Sequence, residues 1–232
     1  MYARLEPAAI DVWEVDARHE GWDRWRDTLD AAEQLRATEL KRAELRHRFV
    51  RARVALRRVL ASYTGYLPAA LRFRYGGHGK PDLTLHSVCF NVAHGGSYAL
   101  IAVSRAPIGV DLEAVEWDSP APQELAAVVF HPLERAALRT LGSEEQRRTF
   151  YRTWVRKEAY VKMLGVGLHR HFAACRVMAE RDGVGVASIY DPHERDGGAK
   201  RLHGLPVGDS YVASLCTPLA GARVVLRAAH PD

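Results

Sequence analysis

The sequence predicts an α+β fold made of two similar halves, residues 1–115 and 116–232. Two long, basic segments with helical spacing carry aromatic residues, FVRARVALRRVLASYTG in the first half and YRTWVRKEAYVKMLGVG in the second. Each is followed by several short apolar runs with strand character. A stretch with two prolines and no period, EWDSPAPQE, lies between the halves and predicts a linker. The resemblance between the two helical segments suggests an internal duplication.

The composition is typical of a globular protein. The 232 residues are 47% hydrophobic and 26% charged, which allows a sizeable core. Cys89, Cys175 and Cys216 lie far apart and form no CxxC pair, so neither a disulfide framework nor a zinc knuckle is indicated. The first residues show no signal-peptide pattern, and no apolar run approaches the ~20 residues of a membrane span. We therefore expect a reduced, cytoplasmic protein that does not use the membrane.

A basic segment dominates the charge distribution. The formal net charge is +5, but between Arg36 and Arg58 only Glu39 and Glu44 oppose nine basic residues. The nine are Arg36, Lys41, Arg42, Arg46, Arg48, Arg51, Arg53, Arg57 and Arg58. Such a segment predicts an anionic partner, which charge alone leaves open as nucleic acid, a membrane surface, a phosphorylated ligand or an acidic protein.

The elements of the first half follow from local patterns. A short strand is expected near Ala9–Val15, followed by helical material from Gly21 to about Tyr63, with Gly65 as its stop. The stretch FRYGGHGKP is a glycine-rich turn. The runs SVCFNV, SYALIAV and IGVDLEAV are expected to be strands.

The second half restarts the pattern after the linker. HPLERAALRTL predicts a helix with Pro132 in its first turn. SEEQ, beginning at Ser143, matches a capping box and predicts the start of the long helix. The runs FAACRVMA, VASIY, YVASLCT and ARVVLRAA predict the remaining strands.

The segment IGVDLE places Asp111 and Glu113 on one face of a strand, because alternate side chains share a face. Two carboxylates at that spacing repel by roughly 0.6 kcal/mol in water and about 2.5 kcal/mol at an effective dielectric constant of 20. A solvated strand face therefore costs little. The functional interpretation is half of a magnesium site, since Mg²⁺ prefers hard oxygen ligands and leaves room for phosphate oxygens.

The second long helix places Trp154, Glu158 and Lys162 along one face, since they are spaced at i, i+4 and i+8. As an exposed surface pair, Glu158 and Lys162 would add about 0.3–0.5 kcal/mol of helix stability. As functional residues, Glu158 would be a metal ligand or general base and Lys162 a partner for phosphate. Spacing alone does not decide between these interpretations.

Two glycine-containing stretches carry further candidate residues. GGHGKP is not a P-loop, because Lys80 is followed by Pro81 and position 74 is Arg74, but it presents a lysine that suits a phosphate. FNVAHGG places His94 at the end of a strand beside two glycines, where backbone without side chains lets a bulky ligand approach. His169 and His171 show no metal-ligand spacing.

The motifs in their order resemble one family, the 4′-phosphopantetheinyl transferases, and within it the longer Sfp-type group. The basic segment with Arg48, GKP, FNVAH, GVDLE and WVRKEAYVK carry the resemblance, which runs from about Arg36 to Val177. It implies two pseudo-repeated halves with the active site at their interface, in a self-contained monomer. It also implies transfer of the phosphopantetheine arm of coenzyme A to a serine of an apo acyl or peptidyl carrier protein, with release of adenosine 3′,5′-bisphosphate.

The resemblance assigns roles to individual residues. Asp111, Glu113 and Glu158 would bind Mg²⁺, with Glu158 also taking the proton from the carrier serine. Lys162 would stabilise charge on the phosphates, and His94 would contact the diphosphate region of coenzyme A. Lys80, with Pro81 of the same turn, and Arg48 would hold the 3′-phosphate. Polyketide, nonribosomal peptide and fatty acid carriers all present a similar serine, so the pathway stays open.

Two positions depart from the family pattern. A hydroxyl residue usually precedes the histidine and often follows it, whereas Ala93 and Gly95 flank His94 here. We therefore expect weaker coenzyme A binding and a raised KM. Two alternatives remain: a catalytically silent module that binds coenzyme A or a carrier protein, and a nucleic-acid-binding protein that uses the basic segment. The sequence shows no zinc-finger, helix-turn-helix or glycine-aromatic RNA motif in favour of the latter.

Overall fold

The computed structural model describes residues 5–84, 88–115, 123–167, 172–179, 186–194 and 198–232. These residues form five α-helices and eleven strands, which confirms the α+β prediction. The helices are α1 (Ala31–Glu39), α2 (Ala43–Thr64), α3 (Gln123–Val129), α4 (Pro132–Arg139) and α5 (Ser143–Leu164). The first strands are β1 (Ala9–Asp16), β2 (Phe73–Tyr75), β3 (Pro81–Leu83), β4 (Cys89–Gly95), β5 (Tyr98–Ser104) and β6 (Gly109–Ala114). The others are β7 (Arg176–Ala179), β8 (Val186–Tyr190), β9 (Lys200–Leu205), β10 (Tyr211–Thr217) and β11 (Arg223–Ala228).

The strands form two main sheets and one small hairpin. The first sheet has the order β11-β1-β5-β4 and the second β6-β10-β9-β8-β7, while β2 pairs with β3. Only the β1–β11 pair is parallel among the described pairs. The order β1-β5-β4 recurs as β6-β10-β9, which supports the proposed duplication. The division between residues 115 and 116 stays a prediction; strand β11, from the end of the chain, completes the first sheet.

The two long helices have the same length and the same ending. Both α2 and α5 contain 22 residues. Gly65 and Gly165 follow them in the left-handed region, with φ of 76° and 72°. Glycine has no Cβ atom and therefore adopts the left-handed conformation at little cost. This conformation turns the chain out of the helix, so glycine often ends one. The predicted stop at Gly65 is therefore confirmed.

The helical segment predicted from Gly21 to Tyr63 is not continuous. It consists of a 3-10 helix, Glu20–Thr28, and then α1 and α2. The break follows from Asp30, whose Oδ1 accepts a hydrogen bond from the Glu33 amide at 2.9 Å and starts a new helix as its N-cap. This reciprocal Asp30–Glu33 capping box was not predicted from the sequence.

The capping box predicted at Ser143 is wrong. The N-cap of α5 is Gly142, which has no side chain to cap with, and Ser143 is already the first helical residue. Helix α4 instead begins with a capping box, formed by His131 and Glu134. Pro132 lies in the first turn of that helix as predicted. Helix α3 and strands β2, β3 and β9 were not expected. The last two residues of the proposed linker, Gln123 and Glu124, begin helix α3 instead of forming a linker. Its other residues, 116–122, lie outside the described residues, as do His169 and His171.

The sheets meet where the edge strands β4 and β6 run past each other. The buried side chain of Asn91 on β4 accepts a hydrogen bond from the Val110 amide on β6, with a distance of 2.8 Å between Oδ1 and N. An edge strand leaves its amides unpaired, so this amide side chain satisfies a group that would otherwise be buried without a partner. The carboxylate-bearing strand β6 is thereby fixed against the first half. None of the described helices is long and apolar enough to cross a membrane.

Candidate active site

Helix α5 lies unusually close to strand β6, and Gly109 is the reason. A Cβ atom added at Gly109 would lie 2.0 Å from the Ala159 carbonyl oxygen and 2.3 Å from the Met163 amide nitrogen. Both are backbone atoms that have no freedom to move aside, so only glycine permits this approach. The close packing brings the carboxylates of β6 beside the charged residues of α5.

Asp111 and Lys162 form an ion pair between this strand and this helix. Lys162 Nζ lies 2.6 Å from Asp111 Oδ1, and Asp111 is only 4% exposed. The other carboxylate oxygen, Oδ2, is buried without a hydrogen-bond partner. Burial raises the pKa of Asp111, and the Lys162 ammonium opposes that rise. One of the two oxygens of this buried carboxylate therefore has no hydrogen-bond partner.

Glu158 is the second unsatisfied carboxylate. Its Oε1 is buried and has no hydrogen-bond partner. Burial, followed by the negative charge of Asp111, raises the pKa of Glu158 to about 7 from its ordinary 4.5, with Glu113 adding to the rise and Lys162 opposing it. A carboxyl group with a pKa near neutrality is poised to exchange a proton. The interpretation of Glu158 and Lys162 as an ordinary exposed pair does not fit this environment.

Glu113 lies on the same face of β6 as Asp111, as the strand pattern predicted, and Trp154 fixes it. The indole Nε1 of Trp154 donates to Glu113 Oε1 at 3.0 Å. The Trp154 ring in turn stacks between Phe150 and Phe172. Trp154 therefore orients a carboxylate as well as filling the core, a role that its helical spacing alone did not indicate.

The three carboxylates are suitable donors for a hard cation but do not form a finished ligand cage. Within the described ranges, no three His, Cys, Asp or Glu side chains are arranged to hold a metal ion. Lys162 occupies one oxygen of Asp111, and Trp154 binds one oxygen of Glu113. The two orphaned oxygens, Asp111 Oδ2 and Glu158 Oε1, are buried anionic oxygens that a cation would satisfy.

A cavity of about 270 Å³ opens beside these residues, between the glycine-rich turn and α5. It is lined by Lys80 and Pro81 of the turn and by Glu158 and Lys162 of the helix. The remaining lining residues are His78, Gly79, Asn91, Val92, Val161, Gly165 and Gly167. The cavity thus has walls from both halves of the chain.

Lys80 lines this cavity and also links two segments of the backbone. Its Nζ donates to the carbonyl oxygens of Ile108 at 3.1 Å and Met163 at 3.0 Å. Met163 lies in the last turn of α5, where carbonyl groups lack helical partners. Burial lowers the pKa of Lys80. Lys80 therefore joins the entry of β6 to the end of α5, and an ammonium group keeps one further hydrogen for a ligand.

His94 and Arg48 lie at the other end of the site, around the turn between β4 and β5. His94 is exposed at the surface, but many protein atoms lie around its ring. The resulting loss of hydration lowers the pKa of His94, and the positive charges of Lys162 and Arg53 lower it further. Arg48 donates to the Gly96 carbonyl oxygen at 2.9 Å and pairs with Glu44. Neither residue lines the cavity that contains Lys80, so a shared phosphate contact of Arg48 and Lys80 stays a prediction.

Ala93 is a core residue. Its side chain is 1% exposed and belongs to the apolar cluster that includes Val110 and Leu112. A hydroxyl group there would lie in the core and not in the cleft. At Gly95 there is no room for one, because a Cβ would lie 2.7 Å from the Leu112 carbonyl oxygen. Neither position offers coenzyme A a hydroxyl contact.

The basic segment is also not the open cationic surface that its composition suggested. Arg53 and Arg57 are buried, and both bind the buried carboxylate of Glu33, at 2.5 and 2.6 Å. Arg57 also binds Asp30 at 2.6 Å, and Arg51 binds Asp23 at 2.7 Å. Three of the nine cations therefore hold the fold together and are not available to a nucleic acid.

Lys157 is a further residue whose role the sequence did not reveal. It is fully buried between the second sheet and α4, where its Nζ pairs with Glu134 at 2.7 Å. It also donates to the carbonyl oxygens of Phe172 and Cys175, both at 2.9 Å. Although adjacent to Glu158 in sequence, it points about 100° away around the helix and supports the fold.

Comparison with known proteins finds similarity to one family. Residues 107–216 match the model of the 4′-phosphopantetheinyl transferase superfamily. A putative 4′-phosphopantetheinyl transferase of Synechocystis is 39% identical over 60% of this chain and 58% of its own length. The 4′-phosphopantetheinyl transferase HetI of Nostoc is 37% identical over 61% of each chain. The match thus spans about three fifths of the length of these two curated relatives.

Two more distant similarities extend the comparison. The 4′-phosphopantetheinyl transferase Sfp of Bacillus subtilis is 27% identical over 80% of this chain and 75% of its own. Among solved structures, the holo-[acyl-carrier-protein] synthase of Thermotoga maritima aligns with a TM-score of 0.38 and 22% identity. That alignment covers 48% of this chain and 61% of the other.

Proposed function

We propose that this chain transfers the phosphopantetheine arm of coenzyme A to a serine of an apo carrier protein, because residues 107–216 match the model of the 4′-phosphopantetheinyl transferase superfamily. The family resemblance inferred from the sequence motifs is confirmed. The relatives are named as transferases, and nothing in the comparisons favours a silent binding module.

One observation carries the proposal. Two buried carboxylate oxygens, Asp111 Oδ2 and Glu158 Oε1, lack partners beside the Lys162 ammonium. Glu158 and Lys162 line a cavity to which both halves contribute. Leaving buried anionic oxygens unsatisfied is costly for stability. The arrangement is understandable if a cation and a phosphorylated substrate complete it.

Asp111, Glu113 and Glu158 are the residues that would hold Mg²⁺. When bound, the ion supplies positive charge to the diphosphate of coenzyme A and to the phosphorus that reacts. Lys162, released from Asp111, would turn to the phosphate oxygens. Trp154 would keep Glu113 in a fixed orientation throughout.

Glu158 would act as the general base. As the serine oxygen of the carrier forms a bond to the β-phosphorus of coenzyme A, Glu158 accepts the serine proton. The bond from that phosphorus to the oxygen shared with the α-phosphate breaks, and adenosine 3′,5′-bisphosphate leaves. Lys162 stabilises the charge on the departing group. Without a metal ion, burial raises the pKa of Glu158 to about 7, so this carboxyl group exchanges a proton near neutral pH.

The remaining proposed contacts position coenzyme A. His94 would contact the diphosphate region, while Lys80, Pro81 and Arg48 would hold the end that carries the 3′-phosphate. Acidic carrier proteins would be attracted by the net positive charge of +5. The monomeric state, the cytoplasmic location and a role in polyketide, nonribosomal peptide or fatty acid synthesis belong to the same proposal.

The test is to incubate the protein with coenzyme A, Mg²⁺ and an apo carrier domain and to weigh the carrier by mass spectrometry. We expect the mass of one phosphopantetheine arm to be added, and the rate to fall at least ~100-fold with Glu158→Gln. EDTA should also stop the reaction. Glu124→Gln, which alters an exposed glutamate of α3, is the matched control and should react normally. Binding of coenzyme A without transfer to several carrier types would contradict the proposal.

A further inference from the structure

The flank of α5 that faces away from Glu158 carries a row of arginines. Arg148, Arg152 and Arg156 are spaced at i, i+4 and i+8 and therefore lie along one side of the helix. Arg156 and Glu158 are two residues apart, which separates them by about 200° around the axis. The arginines thus belong to a different surface from the candidate active site.

These arginines line a cavity of about 240 Å³ between α5 and the second sheet. Its other wall is made by Gly204 and Leu205 of β9, by Val212, Ala213 and Ser214 of β10, and by the segment between the two strands. Asp209 of that segment also lines the cavity but forms no ion pair with Arg156. The space is large enough for a small ligand and too small for a folded partner.

Of the three arginines, Arg156 is the one without an acidic partner among the described residues. Arg148 pairs with Glu144 at 3.5 Å and Arg152 with Glu145 at 3.2 Å, both at the exposed start of the helix. Arg156 is partly buried, and the described part of the chain offers it neither a hydrogen bond nor an ion pair. A partly buried guanidinium without an acceptor is costly unless a ligand supplies one.

We propose that this cavity binds a phosphate-sized oxyanion, with Arg156 as its main ligand and Arg152 and Arg148 beside it. The planar guanidinium group presents paired N–H donors that match two oxygens of a phosphate group. The site accepts either inorganic phosphate or the phosphate group of a small phosphomonoester. It is separate from the proposed transferase site and does not depend on it.

The test is a titration of the full-length protein, without metal, with inorganic phosphate and with glycerol 2-phosphate. Ionic strength is held constant with potassium chloride, and binding is measured by calorimetry. We expect saturable binding to one site that Arg156→Gln weakens at least ~10-fold, the loss expected for a charge-assisted hydrogen bond. Arg139→Gln removes an exposed arginine at the end of α4 and should leave the affinity unchanged.

Lys162→Met separates this cavity from the candidate active site and should also leave phosphate binding unchanged. If Lys162→Met abolishes binding and Arg156→Gln does not, phosphate binds at the active site and the proposal is wrong. Absence of saturable binding would also overturn it. Tighter binding of glycerol 2-phosphate than of inorganic phosphate would identify phosphomonoesters as the preferred ligand.

A second measurement distinguishes a ligand site from a structural arginine. Without phosphate, Arg156→Gln should raise the melting temperature, because it removes a partly buried charge that has no acceptor. With saturating phosphate, the native protein should gain stability and Arg156→Gln should gain little. A lower melting temperature of the variant in both conditions would show that Arg156 supports the fold, which would overturn the proposal.

Discussion

Helices α2 and α5 resemble each other in length, basic character and glycine ending, but they use their charges in opposite ways. On α2, Arg53 and Arg57 bind the buried carboxylate of Glu33 from two sides, and every charge in this group has a partner. On α5, the Oε1 atom of the half-buried Glu158 is buried and has no hydrogen-bond partner. Two similar helices thus differ in their buried charges. Those on α2 all have partners, whereas a carboxylate oxygen on α5 has none.

The difference shows what separates structural from functional charge in this molecule. A buried ion pair with complete hydrogen bonding costs little to keep and much to break. A buried carboxylate without a partner destabilises the protein, and it persists only where a ligand or a reaction uses it. The first two predictions below therefore concern the stability of the protein without metal, where changes on the two helices should have opposite signs.

Glu33→Gln should produce the largest effect. The change leaves Arg53 and Arg57 buried beside an uncharged amide, so we expect unfolding to become easier by about 3–5 kcal/mol. Glu39→Gln, which alters an exposed partner of Arg36, should change stability by less than about 0.5 kcal/mol. Urea denaturation of both variants is the measurement. Similar midpoints for the two would show that the network on α2 does not stabilise the fold.

Glu158→Gln should change stability in the opposite direction and should depend on pH. The pKa of Glu158 is raised to about 7 from 4.5, so the native state holds a proton that the unfolded state has lost. The native protein without metal should therefore lose stability as pH rises from about 4.5 to about 7. The total is on the order of 3 kcal/mol.

The glutamine variant should lack this loss and be the more stable protein at pH 8. Urea denaturation at several pH values in EDTA tests the expectation, with Glu124→Gln as the control that should follow the native profile. A variant less stable than the native protein at pH 8 would mean that the Glu158 carboxylate has stabilising partners in the folded protein. The two helices would then not differ in how they use their charges.

Gly109→Ala tests whether contact between β6 and α5 holds the site together. The new methyl group has no space against the helix backbone, so we expect a loss of about 1–3 kcal/mol and a displacement of Asp111 from Lys162. Transfer to a carrier protein should fall even under conditions where the variant is fully folded. Gly142→Ala, where a Cβ meets nothing, is the control for losing a glycine. Normal transfer by a folded Gly109→Ala protein would contradict this role.

Ala93→Ser should produce the smallest effect. The added hydroxyl would enter the apolar cluster around Val110 and would cost roughly 1 kcal/mol of stability. It would not reach the cleft, so the KM for coenzyme A should stay within about twofold of the native value. A markedly lower KM would show that position 93 does face the ligand, as the sequence first suggested. Steady-state kinetics on a carrier domain provide the measurement.

Local sequence patterns were enough to predict most helices and strands. They also predicted that Asp111 and Glu113 lie on the same face of their strand. Strand alternation, helical spacing and glycine stops depend on neighbours within a few residues, and these neighbours are visible in the sequence. The pattern failed at Ser143, where a capping motif lay one residue inside the helix, and at Asp30, whose cap divides a segment that otherwise looks continuous. In both cases the helix start depends on how the preceding chain is held.

The sequence by itself determined the α+β class, the two long helices and the family motifs that carry the candidate residues. Only the tertiary structure decided which charges are used and which are neutralised. Arg53 finds Glu33 twenty residues away, and Lys80 reaches the carbonyl group of Met163 across 83 positions. The physical reason is that the energy of a charge depends on its burial and on its partners in space, and packing sets both.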